Sequence, residues 1–465
     1  MGADMEMFIG REKELGALEQ AYKSERMEFL PVYGRRRVGK SELLLHFLDR
    51  KPGLYFLGKK ATPHLQIEEF MEIAAAALNQ PLLAEAAVSG WRKALDLVLK
   101  YKPPIGKFIL VMDEFQWTAK ASPELPSLLQ GICDTNARGH NDLMLILCGS
   151  YMGFMEREVL GEKSPLYGRR TGQILLQPFS YREAAGFHPA LSESDQAMLH
   201  FLCGGIPFYL RFFDQKKSVG MNIRDNFLNE FAALHREVDF LLREELKELS
   251  KYHAILTALA TGSKSSQEMA NLTGIPERSL YYYLEHLIGL RYVSKRYPLT
   301  ADGPSRTTRF EIRDALFRFW FRFVYPNMSF ISQMGPERSF TELIKPHLSS
   351  YWGRCFETLC RDALPALYET EGVCAAFEVG EYWDKHVQVD VVGLRADNRT
   401  DLCECKWGTT RSTTALTKEL ERKKALYPNR RNATIQLRVF SQKPRRRTPK
   451  RDSITWHSLA ELYAL

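Results

Sequence analysis

Gly34-Arg35-Arg36-Arg37-Val38-Gly39-Lys40-Ser41 has the form G-x-x-x-x-G-K-[ST], a spacing suited to holding a polyphosphate. Its glycines let main-chain N–H groups turn inward as a nest for the β-phosphate, Lys40 reaches the β/γ oxygens, and the Ser41 hydroxyl suits Mg²⁺. The flanks agree. Met27 to Tyr33 reads as a buried strand entering the loop, and Ser41 to Leu48 as a helix whose N-terminus faces the phosphates. Strand, loop and helix come in the order the motif requires, so ATP or GTP with Mg²⁺ is the expected ligand. The side chains of Arg35, Arg36 and Arg37 either meet the phosphates or point away while only their main chain binds.

Such a site needs an apolar strand ending in acid, and Phe108-Ile109-Leu110-Val111-Met112-Asp113-Glu114 supplies one. Carboxylates are seldom set at the end of a buried strand without a cation or partner. Asp113 is expected to hold Mg²⁺ through water, and Glu114 to orient and deprotonate an attacking water, which predicts a hydrolase. Another strand, Leu143 to Cys148, ends in Gly149-Ser150; Ser150 is either a hydroxyl beside the γ-phosphate or a plain turn serine.

These strands, with the amphipathic Arg11 to Tyr22 segment before them, resemble additional-strand P-loop ATPases of the AAA+ and signalling-ATPase type. Phe8-Ile9-Gly10-Arg11-Glu12, the phosphate loop, Asp113-Glu114-Phe115-Gln116 and Tyr167-Gly168-Arg169-Arg170 resemble the archaeal-type ATPase family, whose members carry a nuclease-like C-terminal domain. The resemblance implies that Phe8, Ile9, Gly10 and Arg11 lie near the adenine, and that Arg169 or Arg170 neutralises phosphate charge. Such an arginine acts in its own chain or from a neighbouring copy, which would make the protein an oligomer; a solvated basic turn is the plain alternative.

At 465 residues with 45% apolar content, the chain is long enough for several cores. The expected architecture is α/β: a P-loop ATPase core over 1–185, a helical lid over 186–248, a winged helix-turn-helix with a linking helix over 249–335, and a restriction-endonuclease-like α/β domain over 336–465. Gly204-Gly205-Ile206-Pro207 breaks the lid helices. Ile255, Leu256 and Leu259 line one helix, Ser265 or Ser266 caps the next, Thr273-Gly274-Ile275-Pro276 turns, and Glu277 to Leu290 forms the second helix. A wing of Arg291 to Arg296 and Arg306 to Ile312, joined across Ala301-Asp302-Gly303-Pro304, completes it. Its second helix would offer Arg278, Tyr281, Tyr282, Glu285 and His286 to a DNA groove, while Leu280, Leu284 and Leu287 face inward. Winged helices also serve as protein contacts.

Lys385 to Leu394 and Asp401 to Trp407 read as strands that would bring Asp390, Glu404 and Lys406 together if they pair, with Val387, Val389 and Val391 on the opposite face. Two acids that bind one or two Mg²⁺ or Mn²⁺ ions, beside a lysine, make a phosphodiester-cleaving site. The D-x(13)-E-x-K spacing resembles the PD-(D/E)XK nucleases, which implies Asp390 and Glu404 as metal ligands, Lys406 as catalytic, and Glu357, on a helix from Tyr351 to Leu364, as the auxiliary acid. Gln388 departs from the acid often found two residues before that aspartate. A nuclease-like fold kept only as an interaction platform is the alternative.

Net charge is +8, and Asn429 to Arg451 holds nine basic residues and no acid, so the rest of the chain carries about −1. That concentration of positive charge suits a phosphate backbone, and DNA is the expected partner; a solvated basic loop, or a protein partner, is the alternative. Eight cysteines without zinc spacing suit a reducing cytoplasm. No secretory leader or spanning segment is read: Phe317 to Tyr325 is short and carries Arg318 and Arg322, so a buried helix is expected and no membrane.

Overall fold

The computed structural model describes residues 8–104, 106–136, 142–300, 307–408, 413–444 and 454–465. It divides into two units, Met1–Pro178 with Ile206–Phe208, and Phe179–Gly205 with Tyr209–Leu465.

The first unit is built on a parallel sheet. Strands β1 (Glu28–Tyr33), β2 (Gly53–Leu57), β3 (Phe108–Asp113), β4 (Leu143–Gly149) and β5 (Ile174–Leu175) lie in the order β2-β3-β4-β1-β5. The acidic strand β3 is thus separated from the loop strand β1 by β4, the additional strand that the family resemblance implied. β1, β3 and β4 are buried along their whole length, as expected when helices cover both faces of a parallel sheet. Those helices are α1 (Glu12–Lys23), α2 (Lys40–Leu48), α3 (Pro63–Ala77), α4 (Trp91–Tyr101), α5 (Phe115–Ala121) and α6 (Leu125–Asn136). Alternate strand residues, among them Phe29, Phe56, Leu110, Met112 and Leu145, pack with Phe70, Trp91 and Leu129 in one apolar cluster. Each such side chain contributes roughly 1.5–3 kcal/mol on burial.

The second unit begins with helical segments that include α7 (Glu193–Cys203), closed by Gly204 in the left-handed conformation at φ 61°. Helices α8 (Leu249–Leu259), α9 (Ser266–Thr273) and α10 (Glu277–Gly289) precede an antiparallel hairpin of β6 (Val293–Arg296) and β7 (Arg309–Ile312). Ser265 and Glu268 form a reciprocal cap on α9, and Gly274 ends it at φ 68°. The joining residues Ala301-Asp302-Gly303-Pro304, and Arg306, lie outside the described residues. Leu280, Leu284 and Leu287 are buried, and Arg278, Tyr281, Tyr282, Glu285 and His286 are exposed, as their spacing predicts.

A second sheet follows α11 (Leu348–Thr370), which runs longer at both ends than expected. Strands β8 (Phe377–Trp383), β9 (Gln388–Arg395), β10 (Arg399–Lys406), β11 (Thr434–Ser441) and β12 (Ile454–Ser458) lie in the order β12-β11-β10-β9-β8. β9 is antiparallel to both its neighbours, β8 and β10, whereas β10, β11 and β12 are parallel. One face packs on α12 (Thr413–Leu426) through Leu402, Leu416, Leu420 and Val439. On the other face α11 lies so close that a Cβ at Gly393 would meet Tyr368 Oη at 2.0 Å. Phe317, Phe319, Trp320, Phe321 and Phe323 are buried, and among the described residues no helix is long and apolar enough to cross a membrane.

The strict alternation expected along β9 does not hold. Gly380 pairs with Val392 and Tyr382 with Val389, so β9 carries one extra residue between those pairs. This bulge puts Val389 and Val392, not Val391, in the cluster against α12.

Candidate functional site

The phosphate loop owes its path to glycine. A Cβ at Gly34 would meet Leu176 O at 2.5 Å, and Gly39 sits at φ 92° immediately before α2. Lys40 is buried, and its ammonium donates to the carbonyl oxygens of Gly34 and Arg35 at 2.9 and 3.0 Å. Burial lowers its pKa, against the carboxylates of Glu114 and Asp113. Arg37 turns outward and stacks its guanidinium on Phe208, 3.9 Å from the ring centroid. Arg11 is buried and braces the loop: Nη2 donates to Val38 O at 3.0 Å and Nη1 to Gln177 O at 2.8 Å. Phe8 stacks on His46 with centroids 4.0 Å apart, which brings the Phe8–Arg11 segment against α2 and the loop.

At the end of β3, Asp113 is fully buried. Its Oδ2 accepts from Ser41 Oγ at 2.5 Å and from the Tyr55 hydroxyl, and its Oδ1 accepts from the Glu114 N–H at 2.7 Å. A hydroxyl beside a carboxylate is a hard-oxygen donor set that fits Mg²⁺. Tyr55, which burial and the Asp113 charge hold above its ordinary pKa, escaped the sequence reading because β2 carries no motif. Glu114 adopts the left-handed conformation at φ 48°, rare for a residue with a Cβ, costing about 1–2 kcal/mol. This turns its carboxylate toward Ser150 Oγ, which donates at 3.0 Å, and toward the Gln116 amide. Ser150 therefore serves Glu114 directly.

Arg169 and Arg170 are not brought to this loop within their own chain. Thr171 pairs with Phe29 near the entrance of β1, whereas the loop leaves β1 after Tyr33, four residues or about 13 Å along the strand. Arg169 instead forks onto Asp134, with Nε to Oδ1 at 2.8 Å and Nη2 to Oδ2 at 3.0 Å. Arg170 is exposed beside it. The expectation of a charge-neutralising arginine acting in its own chain is corrected by this register.

In the second unit, β9 and β10 pair as expected, and the register Cys403↔Val391 continued by one step sets Asp390 opposite Glu404. The bulge aims Asp390 Oδ2 at the Cys405 N–H, 3.1 Å away. Glu404 is buried, and both its oxygens are taken: Oε1 by Lys406 Nζ at 2.6 Å, Oε2 by Lys423 Nζ at 2.5 Å. Lys423 comes from α12, which no motif announced. Burial, together with the Asp390, Glu381 and Glu404 charges, pushes the Glu357 carboxyl up to about 8. Burial and Glu404 push Asp390 up to about 6, against Lys423. Among the described residues no three or more His, Cys, Asp or Glu side chains are gathered so as to hold a metal ion. The divalent ions expected on Asp390 and Glu404 do not fit this arrangement, because two ammonium groups already neutralise Glu404.

The nine basic residues between Asn429 and Arg451 also do not make one surface. Arg438 is buried, donating to Glu371 and Asp401 at 2.5 to 2.8 Å, while Tyr368 donates to Asp401 at 2.6 Å. Arg430 and Arg431 are exposed; Arg445, Arg446, Arg447, Lys450 and Arg451 lie outside the described residues.

A glycine-bent loop after β1, a buried lysine at the head of α2, and an aspartate on β3 bonded to the loop serine define a P-loop ATPase unit. Residues 8–211 match the sequence model of a family described as an ATPase domain predominantly from Archaea, and residues 320–420 match that of archaeal and bacterial proteins of unknown function. An uncharacterized protein of Methanocaldococcus jannaschii is 30% identical over 405 residues, covering 86% of this chain and 88% of that one. An uncharacterized ATP-binding protein of the same organism is 42% identical over 45 residues, covering 10% of this chain and 76% of that one. A Walker-type ATPase of Pyrococcus abyssi is similar in structure, with 23% identity, 68% and 96% of the two chains covered, and a TM-score of 0.49. The chain belongs to the archaeal-type ATPase family.

Proposed function

We propose that this protein hydrolyses ATP and that its nucleotide state governs DNA binding by the second unit. The observation that carries the first half is the convergence of Lys40, Ser41, Asp113 and Glu114 at the carboxyl ends of β1 and β3. Ser41 and Asp113 would hold Mg²⁺, which neutralises phosphate charge when bound. Glu114, held by Ser150 and Gln116, orients and deprotonates the attacking water. Gly34 to Gly39 cradle the phosphates, Arg35 and Arg36 flank them, and Arg11 with Phe8 and Ile9 borders the base. Arg169 and Arg170 act, in this reading, only on the nucleotide of a neighbouring copy.

Coupling is supported by the segment Ile206–Phe208, which belongs to the ATPase unit although the residues on both sides belong to the other. Pro207 lies 3.7 Å from the Cβ position of Gly39, and Phe208 lies under Arg37. A shift in the phosphate loop would act on Pro207 and Phe208, which the chain joins directly to Gly205 and Tyr209 of the other unit. The exposed Arg278, Tyr282 and His286 on α10, in a winged-helix arrangement, support DNA contact.

A second reading, in which the C-terminal sheet is a nuclease-like platform that cuts nothing and binds DNA or a protein, is favoured by the double neutralisation of Glu404. Glu114→Ala should keep ATP affinity and lose most turnover; unchanged turnover refutes the assigned base. Plasmid nicking in Mg²⁺ or Mn²⁺ that disappears in Asp390→Ala would overturn the platform reading in favour of a nuclease.

A further inference from the structure

A cleft of about 1270 Å³ opens in the second unit between the β6–β7 hairpin region, the turn from β8 to β9, and the end of α12. It exceeds the roughly 300–1,000 Å³ of small-ligand pockets, so an extended occupant suits it better. Arg309, Lys385, Arg430 and Arg431 line it, against two acids, Glu268 and Asp384. Both acids are engaged at home. Glu268 accepts from the Ser265 N–H and hydroxyl at 2.7 and 3.0 Å, capping α9. Asp384 accepts from the Tyr382 hydroxyl at 2.9 Å and from the His386 and Val387 N–H groups at 2.7 and 2.8 Å. Four cations against two acids leave the cleft with a net positive lining.

The aromatic part of the lining is equally directed. Tyr281 projects from the exposed face of α10 with 44% of its surface accessible. Across the cleft Trp383 carries the Arg309 guanidinium 5.2 Å from its ring centroid. Aromatic faces interleaved with cations along a groove are what unstacked bases on a flexible phosphate backbone require; duplex bases already stack on one another and offer side chains no face.

We propose that this cleft takes a segment of single-stranded nucleic acid, its phosphates against Arg430, Arg431 and Lys385 and a base on Tyr281. The idea rests on the reading of the second unit as a DNA binder, and the test separates the two. A fluorescent oligothymidylate of about 16 nucleotides, the upper range of single-strand sites, and a duplex of equal length are titrated with the full chain over a range of NaCl by anisotropy. The single strand is expected to bind more tightly than the duplex. Arg430→Ala with Arg431→Ala should reduce its log-affinity slope against log salt by about 1.4. Tyr281→Ala should weaken it about tenfold, with Tyr281→Phe retaining binding. Duplex binding with no single-strand affinity, or single-strand affinity untouched by these variants at unchanged melting temperature, overturns the cleft assignment alone. Polyglutamate competing as well as oligothymidylate would mark a groove for acidic protein and overturn it too. Binding of neither DNA form removes the DNA reading as a whole.

Discussion

The two acidic sites of this molecule answer the problem of a buried carboxylate in opposite ways. Asp113 is satisfied by neutral donors, the Ser41 and Tyr55 hydroxyls and a main-chain N–H. Glu404 is satisfied by two ammonium groups, and its neighbours Asp390 and Glu357 are held toward their protonated forms by burial and mutual repulsion. Similar letters, an acid near a lysine, thus make one site whose acid meets only neutral donors and another whose acid meets two ammonium groups. The difference lies in which side chains tertiary packing delivers, since burying a charge is tolerated only with a partner.

The largest effect that tests this contrast is on Glu404. Glu404→Ala leaves the Lys423 ammonium buried without its carboxylate and should destabilise the second unit by about 3–5 kcal/mol, read by denaturant unfolding. Adding Lys423→Met should restore much of the loss; no restoration would show that the ion pair is not what holds α12 to β10. In the ATPase unit, Lys40→Ala should lower ATP turnover by about 10²–10³-fold, the usual result of removing one preorganised donor, with little change in melting. A fall in melting that accounts for the lost turnover would make Lys40 a structural residue.

Tyr55→Phe should cost about 1.5–2 kcal/mol by removing a hydrogen bond to a charged acceptor. An unchanged midpoint would mean that Ser41 and the Glu114 N–H suffice to satisfy Asp113. The smallest effect is on pH dependence. A carboxyl whose folded pKa is raised binds its proton more tightly in the native state, so its contribution to stability falls as pH rises from the ordinary carboxylate range, 4.5, to about 8. Glu357→Gln removes that loss. Its melting point should match the wild type near pH 5 and exceed it by several degrees at pH 8 and above. The reverse sign would contradict the repulsive cluster of Glu357, Asp390 and Glu404.

Much of the first site was legible because its parts are contiguous. Loop, cap and helix are made by neighbouring residues, and the acidic tip of β3 announces itself by violating the apolar run that carries it. Tyr55 and Arg169 were not legible, the first because a tyrosine on an ordinary strand signals nothing. The second stayed open between its own chain, a neighbouring copy and a plain basic turn, and only the β1–β5 register sets it toward the other end of the sheet. In the second unit the three letters of the acid-lysine motif do converge. Strand alternation nevertheless failed at Asp390, because the bulge between its ladders adds a residue that a period of two cannot contain.

Local chemistry in the chain was enough to establish a phosphate-holding loop, the capped α9–α10 turn and the exposed face of α10, because each depends on backbone geometry and periodicity within a few residues. Long-range packing alone decided that Lys423 closes Glu404, that Arg438 is an interior residue and not part of a basic surface, and that Tyr281, Trp383 and Arg430 border one cleft. Those outcomes depend on which distant side chains share a low-dielectric space, and charge pairing there is set by the fold and not by proximity along the chain.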